Sequence, residues 1–310
     1  MARADRKVVL VTRHTRLDEL LQRHQSVSQA RYYVERLGGD FGDYQSEHEA
    51  YAGAKRVVVE TLGAYGRYQV VDRALVPNFI FAPDDVVVAV GQDGLVANTL
   101  KYLDGQPLVG INPETSRFDG LLLPFQPWDL RRILPDVLAD KRKEKAITIA
   151  QASLSDGQTL LAVNDFFVGP RSHTSARYRI ALGDKAEVQS SSGVIICTGL
   201  GSTAWMKSIA TGSIAVAFAL GVRTVGAHYD PMPWDSASLR FAVREPFPSR
   251  ASSATLVFGT VDGGANLELR SMMSGNGVIF SDGIEADFLE FNSGVEARFG
   301  TAKRVGRLVV

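Results

Sequence analysis

The chain opens with four short, Val-rich runs: KVVLV (Lys7–Val11), YQVVD (Tyr68–Asp72), DVVVAV (Asp85–Val90) and PLVGIN (Pro107–Asn112). Helical patterns separate them. A long polar stretch through Tyr32, Tyr33 and Leu37 reads as helix, and AYAGAKRVVVETL sets Tyr51, Ala54, Val58 and Leu62 on one helical face. A strand that is apolar at successive positions buries both faces, and intervening helices supply the cover. The pattern predicts an α/β domain with a parallel sheet. Such sheets bind ligands beyond the carboxyl ends of their strands.

From about Lys145 the rhythm changes. KAITIA, TLLAV, ARYRIAL, GVIICTG, ATLVFGTV, ADFLEF, VEARFG and GRLVV are short β-prone runs, with turn signals at Ser155, Leu182, Ser281 and Asn292. This spacing predicts a β-rich, sandwich-like C-terminal domain, interrupted by one helix from Ser202 to about Leu220. The charged ADKRKEK (Ala139–Lys145) is either the linker or the solvated end of a helix. The expected division is residues 1–138 and 145–294.

A chain of 310 residues accommodates two such domains. Thirty-four basic side chains balance thirty-four acidic ones, so no global field draws the chain to nucleic acid or an anionic membrane. The single cysteine, Cys197, excludes an internal disulfide, and its apolar run suggests an inert buried thiol. Five scattered histidines offer no metal-ligand spacing, and no protein metal site is expected. No apolar run approaches the ~20 residues of a membrane span. The first residues lack the apolar core of a signal peptide, and the expected location is cytoplasmic.

Chemistry-bearing residues gather at a few junctions. VVVAVGQDGLVANTL (Val86–Leu100) reads as strand, glycine turn and helix, with Asp93 between Gln92 and Gly94. Such a turn lets backbone N–H groups approach phosphate oxygens; equally, Asp93 caps the helix. Asn164-Asp165 sits at a strand end, where a carboxylate suits vicinal ribose hydroxyls or the pair simply makes a turn. SSGVIICTGLGSTAWMKS (Ser191–Ser208) leads a strand into a loop whose Thr198, Ser202 and Thr203 offer hydroxyls and whose Trp205 offers an aromatic face. Ser202 is placed to cap the next helix. TRHTR (Thr12–Arg16) sets Arg13, His14 and Arg16 where a polyphosphate would meet a parallel sheet, or in an exposed basic loop.

In this order, the Gly-Asp-Gly turn, the Asn-acid pair, the Gly-Ser-Thr-Ala-aromatic loop and a late Asp282-Gly283 resemble the NAD kinase family. VVLVTRHTRLDEL, VGINPETSRFDGLLLPF, VREPFPSR and FSDG bring the resemblance closest to its mitochondrial-type branch. The resemblance implies an α/β domain with a β-rich partner domain, and a final stretch, about 295–310, that returns to the first domain. It implies transfer of phosphate from ATP with Mg²⁺ to the 2′-hydroxyl of the adenosine ribose of NAD, giving NADP. Asp93 would face that hydroxyl as the catalytic acid–base group. Gly91, Gln92 and Arg13 would lie on the phosphate-donor side. Gly94, Leu95, Asn164, Asp165, Ser192, Thr203, Ala204, Trp205 and Ser208 would line the NAD side. A homodimer or larger homo-oligomer is implied as well.

The chain departs from the family pattern at four of these positions. Gln92 stands for a glycine, Leu95 for a threonine, Asp165 for a glutamate, and Ser192 for the acid of many relatives. If the backbone at 92 needs a positive φ, a side chain there is strained. Two other readings stay open: a dinucleotide-binding protein that transfers phosphate poorly, and a lipid or sugar kinase on the same scaffold.

Overall fold

The computed structural model describes residues 6–222 and 228–310. They form two compact units: Met1–Lys145 with Gly306–Val310, and Ala146–Val305.

The first unit begins with β1 (Val8–Thr12), α1 (Arg16–His24), α2 (Val27–Arg36) and α3 (Phe41–Tyr65). It continues through β2 (Tyr68–Asp72), β3 (Val86–Val90), α4 (Asp93–Leu100), β4 (Pro107–Ile111) and α5 (Leu130–Leu138). The polar stretch expected as one helix is two. Gln25 takes a left-handed φ of 60° and ends α1, and Ser26 restarts the chain by accepting the Gln29 N–H. Thr15 and Asp18 close a reciprocal capping box at the start of α1.

The sheet of this unit runs in the order β2-β1-β3-β4, all parallel, and Arg307 and Leu308 of the last strand extend it beside β4. Every residue of β1, β3 and β4 is buried. On one face, Tyr51, Ala54, Val58 and Leu62 of α3 and Leu130, Ile133, Leu134 and Val137 of α5 cover Val8, Leu10, Val86, Val88 and Val109. Each fully buried Val or Leu contributes about 1.5–3 kcal/mol, which is why these runs fix the layer.

The second unit takes up β5 (Glu144–Leu154), β6 (Thr159–Ala162), β7 (Asp165–Pro170), β8 (Ala176–Leu182), β9 (Lys185–Ser191) and β10 (Gly193–Cys197). After α6 (Trp205–Ala219) come β11 (Leu239–Arg244), β12 (Phe258–Val261), β13 (Leu267–Ser271), β14 (Gly277–Ser281) and β15 (Ile284–Glu290). The last strand, β16 (Glu296–Val309), pairs with β13 before its final residues join the first unit. One antiparallel sheet has the order β12-β11-β10-β7-β14-β15, and another runs β16-β13-β8-β9. Phe166, Val168, Ile196 and Phe241 of the first sheet meet Tyr178, Ile180, Leu269 and Phe299 of the second in a shared core. This is the sandwich the alternating runs imply. Among the described residues no helix is long and apolar enough to cross a membrane.

Candidate functional site

In the first unit the candidates collect where the parallel strands end. β3 leads into Gly91 and Gln92, and α4 starts at Asp93. Gln92, not Asp93, is the N-cap residue, with φ −122° and ψ 165° and no side-chain capping bond. The backbone is therefore ordinary extended chain, and a side chain at 92 brings no strain. Asp93 turns away from capping. Its Oδ1 accepts the Leu122 N–H at 2.6 Å, and its other oxygen has no partner among the described residues. The carboxylate is thus aimed by a neighbouring loop and keeps one oxygen for other work. Leu95 is 1% exposed and its N–H goes to the Gln92 carbonyl, so it offers a ligand no free group in this conformation. Gly94 is exposed at the helix start.

Arg13 leaves β1 and is held rather than free. Its Nη2 meets Glu47 Oε1 at 2.9 Å, its Nη1 donates to the His14 carbonyl, and its backbone N–H donates to Tyr51 Oη. Glu47 also receives Arg16. Burial opposes the charge of Glu47, yet the hydrogen bonds from Arg16 and Arg13 outweigh it and hold the carboxyl below its usual range. Asp43, one helical turn earlier, is held down to about 2 by Arg117 and Arg16.

In the second unit Asn164 and Asp165 form the corner leading into β7. Asp282, in the left-handed region at φ 55°, accepts the N–H groups of Val163, Asn164 and Asp165, the Asn164 bond being 2.6 Å. Its own N–H returns to the Asp165 carbonyl at 2.9 Å. Thr198 ties the corner from the other side: its hydroxyl donates to the carbonyls of Val163 and Asn164, and its N–H donates to Asn164. Asp165 is 6% exposed. Burial first, and the neighbouring Asp282 charge second, push its carboxyl up to about 7. Cys197, the strand partner of Asp165, is a buried thiol pushed up to about 12 by burial.

Ser202 does not cap α6. It lies in a 3-10 turn, donates to the Gly199 carbonyl and accepts the Met232 N–H, while Ala204 precedes the helix without a side-chain bond. Its hydroxyl is used to pin the loop to residue 232 instead. Thr203 donates to the Leu200 carbonyl, whereas Ala204 and Ser208 are exposed.

Gly201 permits the approach to Asn164. A Cβ there would stand 2.0 Å from the Asn164 carbonyl oxygen, a backbone atom that cannot turn aside. Gly201→Ala is expected to cost about 1–3 kcal/mol or more and to open the Asn164 corner. Gly212 of α6 has nothing within 4 Å of its Cβ position. Gly212→Ala is expected to stabilise by about 0.5–1 kcal/mol, so thermal melts of the two variants should shift in opposite directions.

Trp205 and Ser192 line a separate cavity of about 710 Å³ in the same unit. Trp205 stacks on Phe167 (centroids 6.0 Å, 6° between planes), and Phe167 stacks on Phe280 at 4.9 Å. The Arg244 guanidinium lies 5.4 Å from the Trp205 ring centroid. Ser192 stands before β10, whereas Thr198 and the Asn164 corner stand after it. At ~3.3 Å per residue that is about 20 Å of strand, so a ligand touching both is extended. Asp165 and Phe167 share a face of β7, being two residues apart. The structure therefore joins Asn164 to Asp165 and Ser192 to Trp205, while Ala204, just before α6, and Ser208, on it, are exposed. Sequence reading missed Asp43, Glu47, Arg117, Phe167 and Arg244. Arg117 and Arg244 lie within segments quoted for the resemblance, VGINPETSRFDGLLLPF and VREPFPSR, and the i, i+4 acids in FGDYQSEHE read as a solvated helix face.

No protein-family model and no curated protein matches the chain. Among solved structures, the chain is similar to yeast NADH kinase complexed with NADH. The TM-score is 0.62 at 14% sequence identity, covering 98% of this chain and 83% of that one. The likeness extends over an α/β unit and an antiparallel β-rich unit. The chain has an NAD kinase-like fold.

Proposed function

We propose that this protein transfers the terminal phosphate of ATP to the 2′-hydroxyl of the adenosine ribose of NAD, giving NADP. The observation that carries the proposal is Asp93: a carboxylate at the end of a parallel strand, aimed through one oxygen by the Leu122 N–H and open at the other. A ribose hydroxyl is a weak nucleophile, so its transfer reaction needs in-line positioning, charge neutralisation and a base. In this reading Asp93 Oδ2 takes the hydroxyl proton. Gly91, Gln92 and Arg13 face the donor, and Gly94 lies beside them. Asn164 and Asp165 receive ribose hydroxyls and base, while Thr203, Ala204, Trp205, Ser192 and Ser208 serve the nicotinamide end. Among the described residues no group of three or more His, Cys, Asp or Glu is arranged to hold a metal. In this reading Mg²⁺ enters on the ATP phosphates, as part of the donor substrate, and neutralises their charge.

The same reading makes the protein a cytoplasmic homodimer or larger assembly. In its support, Val216, Phe218 and Leu220 at the end of α6 are 60–78% exposed, an apolar surface suited to a second copy. The alternative, a dinucleotide binder with weak transfer, draws on the tie between Arg13 and Glu47, which spends part of the donor-side charge. Both readings require NAD or NADP to raise the melting temperature, by about 2.7 kcal/mol of stability at one hundred times the dissociation constant. A melt indifferent to both dinucleotides but raised by a lipid or sugar substrate removes both readings.

A further inference from the structure

The second unit carries a cavity of about 730 Å³ that none of the candidate site residues lines. Its floor is the outer face of three neighbouring strands, β6, β5 and β16. Ala150, Ala152, Leu160, Ala162, Ala297 and Phe299 of these strands turn into the sandwich core. Gln151, Ser153, Leu161, Arg298 and Gly300 alternate with them and so face away from it. The volume falls within the range of about 300–1,000 Å³ usual for small-molecule sites.

The lining is chemically one-sided. Arg298, Lys303 and Arg304 bring three positive charges, and no carboxylate among the described residues lines the cavity. The one acid paired with its lining is Glu268, the cross-strand neighbour of Arg298 on β13, which meets Arg298 Nε at 3.1 Å. Both side chains of that pair are more than half exposed, so water screens it and it neutralises little. The Nη groups of Arg298 keep no partner among the described residues, and the Lys303 ammonium and the Asn266 amide have none either. Thr159 and Thr301 add hydroxyls to the same wall.

Gly300 gives the arrangement its shape. A glycine inside a strand weakens it, and marks a place where another group must come close. A Cβ at Gly300 would stand 2.6 Å from Asn266 Oδ1. The missing side chain therefore lets the Asn266 amide lie over β16, in the same cavity as the cations. Leu161 supplies an apolar wall beside them.

We propose that this cavity binds a phosphomonoester dianion, with Arg298, Lys303 and the Asn266 amide donating to the phosphate oxygens and Leu161 meeting the organic body. Charge-assisted bonds from a guanidinium and an ammonium suit a dianion, and no carboxylate in the lining opposes it. The site goes beyond the phosphate-transfer reading and does not depend on it. Inorganic phosphate presents the same oxygens without the organic body.

The test is calorimetric titration of the full chain, in a phosphate-free buffer of low ionic strength, with glucose 6-phosphate and, separately, with inorganic phosphate. Wild type is compared with Lys303→Gln, Asn266→Ala and the surface variant Arg132→Gln of the first unit. Lys303 and Asn266 are exposed, so both site variants should fold, which urea melts check. The expected result is a loss of roughly 10-fold in affinity for each site variant and none for Arg132→Gln. Weakened binding of both anions supports the site and makes the phosphate group its determinant. Binding of glucose 6-phosphate alone, weakened in the same way, supports it and makes the organic body necessary. No binding of either anion, or binding that Lys303→Gln leaves unchanged, overturns the proposal. A wild type that forms no NADP yet shows the expected losses removes the kinase reading and leaves this site standing.

Discussion

Asp93→Asn is expected to lower phosphate transfer to NAD by about 10²–10⁴-fold, the usual contribution of a positioned general base. The substitution separates chemistry from structure cleanly. The Asn side-chain oxygen can still accept the Leu122 N–H that the Asp93 carboxylate now holds at 2.6 Å. Asp93 does not cap α4, so no capping bond is lost. Fold and NAD affinity should therefore be retained while the open oxygen loses its basicity. Single-turnover rates beside NAD titrations measure the two effects apart. An equal loss of binding and rate would mean that Asp93 holds ligand or loop and moves no proton.

Asp165→Asn is expected to stabilise the free protein above neutral pH. Burial and the Asp282 charge raise the folded-state carboxyl to about 7, well above its unfolded value. Between about pH 4 and 7 the unfolded chain is ionised while the folded one keeps its proton, so stability falls as pH rises and levels off above 7. The amide carries no such penalty. The gain of the variant should reach roughly 2–4 kcal/mol at pH 8 and close as pH falls to 4, as urea unfolding across that range would show. The same carboxylate, once ionised, accepts two hydroxyl hydrogen bonds. NAD affinity of the wild type should thus tighten as pH rises through 7, and that pH dependence should vanish in the variant. A stability difference independent of pH would contradict the buried, coupled acid described here.

Much of the architecture was legible because it depends on short-range patterns. Val86–Val90 is apolar at every position, and a strand so composed has to be covered on both faces. Tyr51, Ala54, Val58 and Leu62 recur at helical spacing, and all four are buried. What stayed hidden depends on long-range placement. The three N–H groups gathered by Asp282 lie 117 to 119 residues away, and nothing local in SDG announces them. Asp43 and Glu47 look like a solvated face until loops bring Arg13, Arg16 and Arg117 over them. The long helix expected through Leu37 broke because Ser26 offers a better start than the pattern shows. At Gln92, where the family pattern has a glycine, a side chain would be strained only if the backbone needed a positive φ, and φ there is −122°.

The most direct test of the account is NADP formation by the purified chain given NAD, ATP and Mg²⁺, read through an NADP-dependent dehydrogenase, with Asp93→Asn alongside. The account predicts NADP from the wild type and a signal reduced by about 10²–10⁴-fold in the variant. A wild type that binds NAD yet makes no NADP, or a rate indifferent to Asp93, would contradict it.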